Sequence, residues 1–364
     1  MARGLQFESS QSAAVKAPSP ELGALIHTEA AYLKRMRMTV LASGSKGNST
    51  VIASARTRVL VDAGLSCREL LKRMKMANED ASALDAILIT HEHTDHVAGL
   101  SVLARRLRIP VYFSEPTHRA WVRQMTPRTK MTYAKWLDHL QEEKEARATL
   151  EAIESRDNAD PECGVQSGSI QIAAAIGEGD EEEDVSQAAV KRDSVSLPAV
   201  EYFQPGTNFC IGDLTIAPFT TPHDAADPCG FVFESATESI RMAIATDLGY
   251  MPPNVRSALQ RIDVLLLESN HDLEMLKDGP YPWAVKQRVL SRVGHLSNHA
   301  TAEFLARDYD GNATYIVLGH LSETNNVPEL ALMSAEEAIR ERGKLLGNRV
   351  LLAQQSEPLA SIFL

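Results

Sequence analysis

The sequence predicts an α/β fold of sandwich type, and three observations predict it. Short apolar runs at residues 85–90, 214–219, 241–246 and 315–319 each lead, directly or within four residues, to a His or Asp, namely His91, His223, Asp247 and His320. These runs alternate with stretches of helical periodicity at 67–76, 97–107, 282–292, 299–308 and 328–343, the pattern of α/β architecture. The chain has 364 residues, of which 44% are hydrophobic, enough to bury the core of one large catalytic domain with additions. One His or Asp at a strand end is more often a cap or a turn residue. The repetition is what implies that the strand ends converge on one edge of a sandwich.

The domain is expected to start at residue 36, because Met36 and Met38 stand directly before a first strand at 39–42. Residues 1–35 then form a poorly ordered extension or follow a misassigned start. After that strand comes Ser43-Gly44-Ser45-Lys46-Gly47-Asn48, a small-residue loop whose backbone donors suit a phosphate. Ser43, Ser45, Lys46 and Asn48 are its candidate substrate contacts, although such a loop also makes a tight strand connection.

The densest chemistry is His91-Glu92-His93-Thr94-Asp95-His96, with three imidazoles in six residues directly after an apolar strand. Imidazole and carboxylate are preferred ligands of zinc, manganese and iron, and H-x-H spacing lets two rings reach one ion. Asp95 and His96 then face a second ion, so the run reads as a binuclear site. His223, Asp247 and His320 supply the distant partners that such a site needs. Four cysteines, Cys67, Cys163, Cys210 and Cys229, show no C-x-x-C spacing, which fits free thiols in a reducing compartment. Cys229 lies six residues after His223, but His and Asp already complete the site.

The sequence contains no apolar run of the ~18 residues needed to span a bilayer, and no secretion signal opens it. Cytoplasmic localisation is therefore expected. The formal net charge of −11 is unevenly placed: residues 141–200 hold fifteen Asp and Glu against five Lys and Arg. That stretch predicts a disordered or loosely held acidic insertion. Residues 101–140 carry eight Lys and Arg against Glu115 and Asp138, interleaved with Trp121, Tyr133 and Trp136. A basic, aromatic stretch suits a nucleic-acid backbone and its bases, and equally suits amphipathic helices with basic outer faces.

The chain resembles the metallo-β-lactamase superfamily and, within it, the YycJ/WalJ-like nuclease-type hydrolases. The motifs are S-G-S-K-G-N at 43–48, D-A-G at 62–64, the H-E-H-T-D-H run and P-H-D-A-A-D-P at 222–228. Further along stand T-D-L-G-Y at 246–250, L-E-S-N-H-D at 267–272, G-H-L-S-N-H at 294–299 and L-G-H-L-S-E-T-N-N at 318–326. The resemblance implies a four-layer αββα sandwich with metals at one edge. It implies one ion on His91, His93 and His223, another on Asp95, His96 and His320, and Asp247 bridging both. Asp62 is read as orienting a ligand imidazole through its outer nitrogen, and Asn270, His271, Asn298 and His299 as supporting the site by hydrogen bonds.

Nuclease branches of the superfamily, notably the transfer-RNA 3′-processing enzymes, have a similar G-H-S-S segment and a Glu in H-E-A-T. By that likeness His295 and Glu268 form a proton-donating pair, the carboxylate raising the imidazole pKa, while Asp95 also orients the attacking water. The implied activity is hydrolysis of phosphodiesters, as a DNA exonuclease using a hydroxide shared by two divalent ions. Two other readings stand beside it: an acyl, lactone, thioester or β-lactam hydrolase that shares the ions without needing His295, and a regulatory or scaffold protein with a structural metal site. Flavodiiron oxidoreductases usually show H-x-E in the metal loop, and His93 argues against them. The insertion typical of RNA-cleaving relatives after the bridging Asp is missing, since Asp247 and His320 are 73 residues apart.

Overall fold

Among the described residues, apolar side chains dominate fourteen short segments, and these pair as strands. They are Arg37–Ala42 (β1), Ser49–Ala53 (β2), Arg58–Val61 (β3), Ala86–Leu88 (β4), Val111–Ser114 (β5), Val200–Phe203 (β6) and Phe209–Ile211 (β7). Next come Leu214–Thr220 (β8), Cys229–Ser235 (β9), Arg241–Ala245 (β10), Val264–Glu268 (β11), Tyr315–Gly319 (β12), Arg349–Leu352 (β13) and Ile362–Phe363 (β14). The structure is a computed structural model and describes residues 36–126, 195–342 and 347–364. The chain divides into two units, Met1–Trp121 with Ser196–Leu364, and Val122–Val195. The first carries both sheets. Of the second, residues 122–126 and 195 are described.

The helices follow the apolar 3.6-residue stripe of the sequence: Cys67–Met76 (α1), Thr94–Val97 (α2), Leu100–Leu107 (α3), Glu115–Met125 (α4) and Pro253–Ala258 (α5). Leu273–Asp278 (α6), Trp283–Val289 (α7), Asn298–Arg307 (α8) and Pro328–Glu341 (α9) complete the set among the described residues. Helix α1 starts at Ser66, whose side chain accepts from Glu69 N–H, a Ser-x-x-Glu start that satisfies a free helix donor. Ser297 caps α8 in the same way, accepting from Ala300 N–H at 3.1 Å.

One sheet runs β14-β1-β2-β3-β4-β5-β6 and the other β13-β12-β11-β10-β9-β8-β7. In the first, the pairs from β14 to β3 are antiparallel and those from β3 to β6 parallel. In the second, the pairs from β7 to β10 are antiparallel and those from β10 to β13 parallel. The two halves thus repeat one plan. Met38, Val40, Ile52 and Leu88 of one sheet join Ile216, Phe231, Ile244 and Leu266 of the other in a shared core. The opposite face of the second sheet, with Ala243, Leu265 and Leu318, packs on Val255, Phe304, Leu305 and Ala335 of its helices, and α1 packs on β1 and α3. This is the αββα sandwich.

The helix expected over 97–107 is interrupted. Helix α2 ends at Val97, α3 begins at Leu100, and Gly99 lies between them. There the backbone turns onto the 63–65 loop: Gly99 N–H donates to Ala63 O at 2.8 Å, and a Cβ at residue 99 would sit 2.0 Å from Leu65 O. Trp121 is 1% exposed, so it is a core side chain and not the base-stacking surface that its basic neighbours suggested. Tyr133 and Trp136, the extension at 1–35 and the acidic insertion lie outside the described residues, except that 195–200 are described and Val200 opens β6. No helix of the described residues is long and apolar enough to cross a membrane.

Candidate metal centre

The parallel strands β3, β4, β10, β11 and β12 place Asp62, His91, Asp247, Glu268 and His320 at or just beyond their carboxyl ends, where open α/β sheets bind their ligands. Three of these residues, Asp62 (φ 61°), Asp247 (φ 61°) and His320 (φ 55°), have left-handed backbone. That conformation costs about 1–3 kcal/mol at a non-glycine residue and clusters at functional sites. It lets each strand turn its side chain sharply into one spot.

Four imidazoles are anchored on their outer nitrogen with the inner one turned to a common centre. His96 Nδ1 donates to Asp62 Oδ2 at 2.8 Å, His223 Nδ1 to Gly294 O at 3.0 Å, and His320 Nδ1 to Glu268 Oε1 at 2.9 Å. His91 Nδ1 meets the Thr90 hydroxyl at 3.1 Å, and that hydroxyl donates to Asp62 Oδ2 at 2.9 Å. Fixing Nδ1 in this way selects the tautomer whose Nε2 lone pair faces an ion. The inner atoms gather tightly: one atom each of His91, His93 and His223 lies within 4.8 Å of the others, and the same holds for Asp95, His96 and His320 and for His91, His96 and Asp247.

Whether a metal fits can be judged from unmet polar atoms. His91 Nε2, His320 Nε2 and Asp247 Oδ2 are buried with no hydrogen-bond partner, and each such atom costs about 1–3 kcal/mol unless something binds it. Burial opposes a charge on Asp95, yet His96 and His320 beside it hold its carboxyl far below the usual carboxylate range. Burial likewise opposes charging His96 and His320, but the clustered carboxylates Asp95 and Asp247, with Asp62 or Glu268, hold both imidazoles well above their ordinary value. A pocket that so favours positive charge, lined by N and O donors at ligand spacing, suits divalent cations.

The loops are stapled to keep these positions. Asn48 N–H donates to Asp95 O at 2.7 Å, and Ala63 N–H to His96 O at 2.8 Å. Glu92 turns away from the centre and accepts from Ala226 N–H at 2.9 Å, which ties the first ligand loop to the one bearing His223. A Cβ on Gly64 would stand 1.7 Å from Asp95 O and 2.6 Å from Asn48 N. Backbone cannot yield as a side chain does, so Gly64→Ala is expected to cost about 1–3 kcal/mol through overpacking and to weaken metal binding. Thermal denaturation and metal titration check this; an alanine variant as stable and as metal-avid as the wild type would contradict it.

Glu268 is 0% exposed and fully engaged. Its Oε1 accepts from His295 Nδ1 at 2.7 Å and from His320 Nδ1, while Oε2 accepts from Leu248 N–H at 2.8 Å and Leu296 N–H at 3.2 Å. Burial opposes its ionisation, but the two imidazoles hold it well below the carboxylate range. Glu268 therefore joins the paired His295 to the metal cluster, a double role that the motif alone does not show. His295 Nδ1 is also 3.8 Å from Asp247 Oδ1.

Other expected contacts fall elsewhere. Ser43 is buried, its hydroxyl accepting from His320 N–H at 2.8 Å; it holds the His320 backbone and does not face a phosphate. Asn48 is also buried and directs its amide to His96 Nε2 at 3.1 Å and Asp95 Oδ2 at 3.2 Å. Lys46 is exposed and pairs with Glu323 at 2.5 Å. Ser45 does line the cavity above the cluster. Asn270 donates to His320 O at 2.8 Å, and Asn298 accepts from Ser269 Oγ at 2.7 Å and donates to Asn326.

His271 does not support the site through its ring. Both ring nitrogens are buried without a partner, and burial pushes its pKa down to about 4. His299 is exposed and lines a different groove, with Glu303 and Glu337. Cys229 is buried with its Sγ toward Thr90 O at 3.5 Å, and burial pushes its thiol well up, so it offers no thiolate. Cys67 and Cys210 are free as well, while Cys163 lies outside the described residues. Two side chains were missed: Asp224, present in P-H-D but unremarked beside His223, and Arg288, which no motif marks.

The profile of the metallo-beta-lactamase superfamily matches residues 42–178, and that of the beta-lactamase superfamily domain matches residues 182–320. The chain is 30% identical over 308 residues to exodeoxyribonuclease YycJ of Bacillus anthracis, covering 85% of this chain and 90% of that protein. It is 32% identical over 298 residues to exodeoxyribonuclease WalJ of Streptococcus pneumoniae (strain D39), covering 82% and 86%. The metallo-beta-lactamase fold protein YhfI from Bacillus subtilis superposes with a TM-score of 0.53 at 16% identity, over 89% of this chain and 99% of that one; this likeness bears on the fold alone. Relatedness over most of the length, on the sandwich those sequences share, places the chain in the metallo-β-lactamase superfamily as a metal-dependent hydrolase of the YycJ/WalJ-like group.

Proposed function

We propose that the chain is an exonuclease that hydrolyses DNA phosphodiesters at a pair of divalent cations, whether zinc, manganese or iron. His91, His93 and His223 would hold one ion, Asp95, His96 and His320 the other, and Asp247 would serve both. Such ions, when bound, supply a water acidic enough to attack near neutral pH and neutralise charge on the phosphoryl group. Asp62, Thr90, Gly294 and Glu268 fix the imidazole tautomers. Asp95, at the cavity, also orients the attacking water.

The observation that carries this reading is His295. It lines the cavity beside Asp247 with its side chain 20% exposed, and its Nδ1 is held at 2.7 Å by the buried carboxylate of Glu268. That contact leaves Nε2 as the atom that delivers a proton to a departing alkoxide, which hydrolysis of a phosphodiester needs. A thioesterase, whose thiolate departs without a proton, has no such need. The names of the two bacterial relatives agree, and the free thiols of Cys67, Cys210 and Cys229 among the described residues fit a cytoplasmic setting.

The test is digestion of end-labelled single-stranded DNA by the purified chain with manganese or zinc, beside an ester and a lactone substrate. Stepwise release of mononucleotides, abolished by chelation, is the expected result. Ester turnover without DNA cleavage would replace this reading with acyl hydrolysis. Metal binding without turnover of any substrate would leave a scaffold.

A further inference from the structure

Arg288 stands on the wall of the metal cavity, and no step above uses it. Helix α7 turns Val285, Arg288 and Val289 toward that cavity, the i, i+3, i+4 positions that share one helix face. The facing wall carries His93, Asp95 and His223. Arg288 Nε donates to Asp224 Oδ2, and Asp224 Oδ1 lies 3.4 Å from His223 Nε2. The 223–224 segment is itself tied to the residues before His295, through Asp224 N–H to Val293 O at 3.1 Å and His223 Nδ1 to Gly294 O at 3.0 Å.

Among the described residues the two Nη groups of Arg288 have no acceptor, and the side chain is 61% exposed. A guanidinium held by Nε alone keeps its end-on fork free, and that fork matches two oxygens of one phosphate. The cavity measures about 200 Å³, below the ~300–1,000 Å³ of sites for drug-sized ligands. It takes a phosphate and the edge of a sugar, with Val285 and Val289 as an apolar wall.

We propose that Arg288 binds the non-bridging oxygens of the phosphate at the metal pair, with Asp224 as its positioning residue. This rests on the phosphodiesterase reading. It gives the cavity a third cationic contact, supplied by the protein itself.

The test uses the full-length, metal-loaded protein, with thymidine 5′-monophosphate as the calorimetric probe and a single-stranded oligonucleotide as substrate. Arg288→Ala is expected to weaken the mononucleotide by about 10- to 100-fold, the scale of a lost charge-assisted contact, and to raise KM similarly. Metal content and melting temperature stay at wild-type values and kcat changes little. Arg288→Lys recovers part of the loss, and Asp224→Asn, checked for full metal content, raises KM less than Arg288→Ala.

Unchanged mononucleotide affinity and KM in Arg288→Ala, with an active wild type, would reduce Arg288 to a surface ion pair and overturn the proposal. A fall in kcat at unchanged affinity would overturn it too. A wild type that neither binds the mononucleotide nor digests the strand removes the phosphodiesterase reading itself, so the two failures are distinct.

Discussion

Replacing His295 with alanine is expected to lower kcat on single-stranded DNA by about 10²- to 10⁴-fold, the usual loss for a positioned acid or base, while metal content stays at the wild-type level. The ring forms part of the cavity wall and is partly exposed, so its loss opens space at the surface and leaves the core intact. Among the metal-site residues named above it is the cleaner probe. Glu268→Gln, by contrast, would also disturb His320, because one oxygen of Glu268 serves both imidazoles. Steady-state kinetics and elemental analysis on the same preparation separate the cases. A variant that keeps wild-type kcat would remove His295 from the chemistry, and one that loses metal would make it structural.

The second large effect is expected at Asp247. Its carboxylate lies 3.5 Å from His96 Nε2, 3.5 Å from His320 Nδ1 and 3.9 Å from His223 Nε2, with the side chain 4% exposed. Burial opposes its charge, and the three imidazoles overcome that and hold its carboxyl below the usual range. Changing a residue that only orients a ligand costs about 10- to 100-fold in metal affinity. Asp247→Asn, which removes a shared ligand charge, should cost more and should release at least one ion while activity disappears. Calorimetric metal titration measures the affinity. Circular dichroism identifies folded material, which is needed because removing one partner of a buried charge cluster can cost about 3–5 kcal/mol. Full metal occupancy in a folded Asp247→Asn protein would contradict the assignment.

Much of this site was legible in the chain because strand ends leave a clear trace. An apolar run that stops at His91, Asp247 or His320 fixes both the secondary structure and the direction in which the next side chain emerges. The sandwich is legible for the same reason, since its strands are nearly continuous aliphatic segments. Contacts made by loops leave no such trace. Ser43 and Asn48 read as phosphate donors because small polar residues occur in phosphate loops, yet the fold buries them against His320 and His96. Trp121 lay among arginines in sequence, but the helical period turns it inward. His271 shares a motif with Glu268, yet the fold buries both of its ring nitrogens without a partner.

The interrupted helix at Gly99 shows the same limit from the backbone side. Its sequence, Val97 to Leu107, is helical in period, and only the approach of Leu65 O, 34 residues earlier, explains the break. Arg288 is the extreme case. It sits in an ordinary amphipathic helix, and its place over the cavity follows from packing that no local pattern encodes.

The most direct measurement of the central claim is anomalous diffraction at the manganese or zinc absorption edge, from crystals of the full chain grown with that metal. Two peaks are expected, one among His91, His93 and His223 and one among Asp95, His96 and His320, with Asp247 touching both. A single peak, or metal bound anywhere away from Asp247, would contradict it.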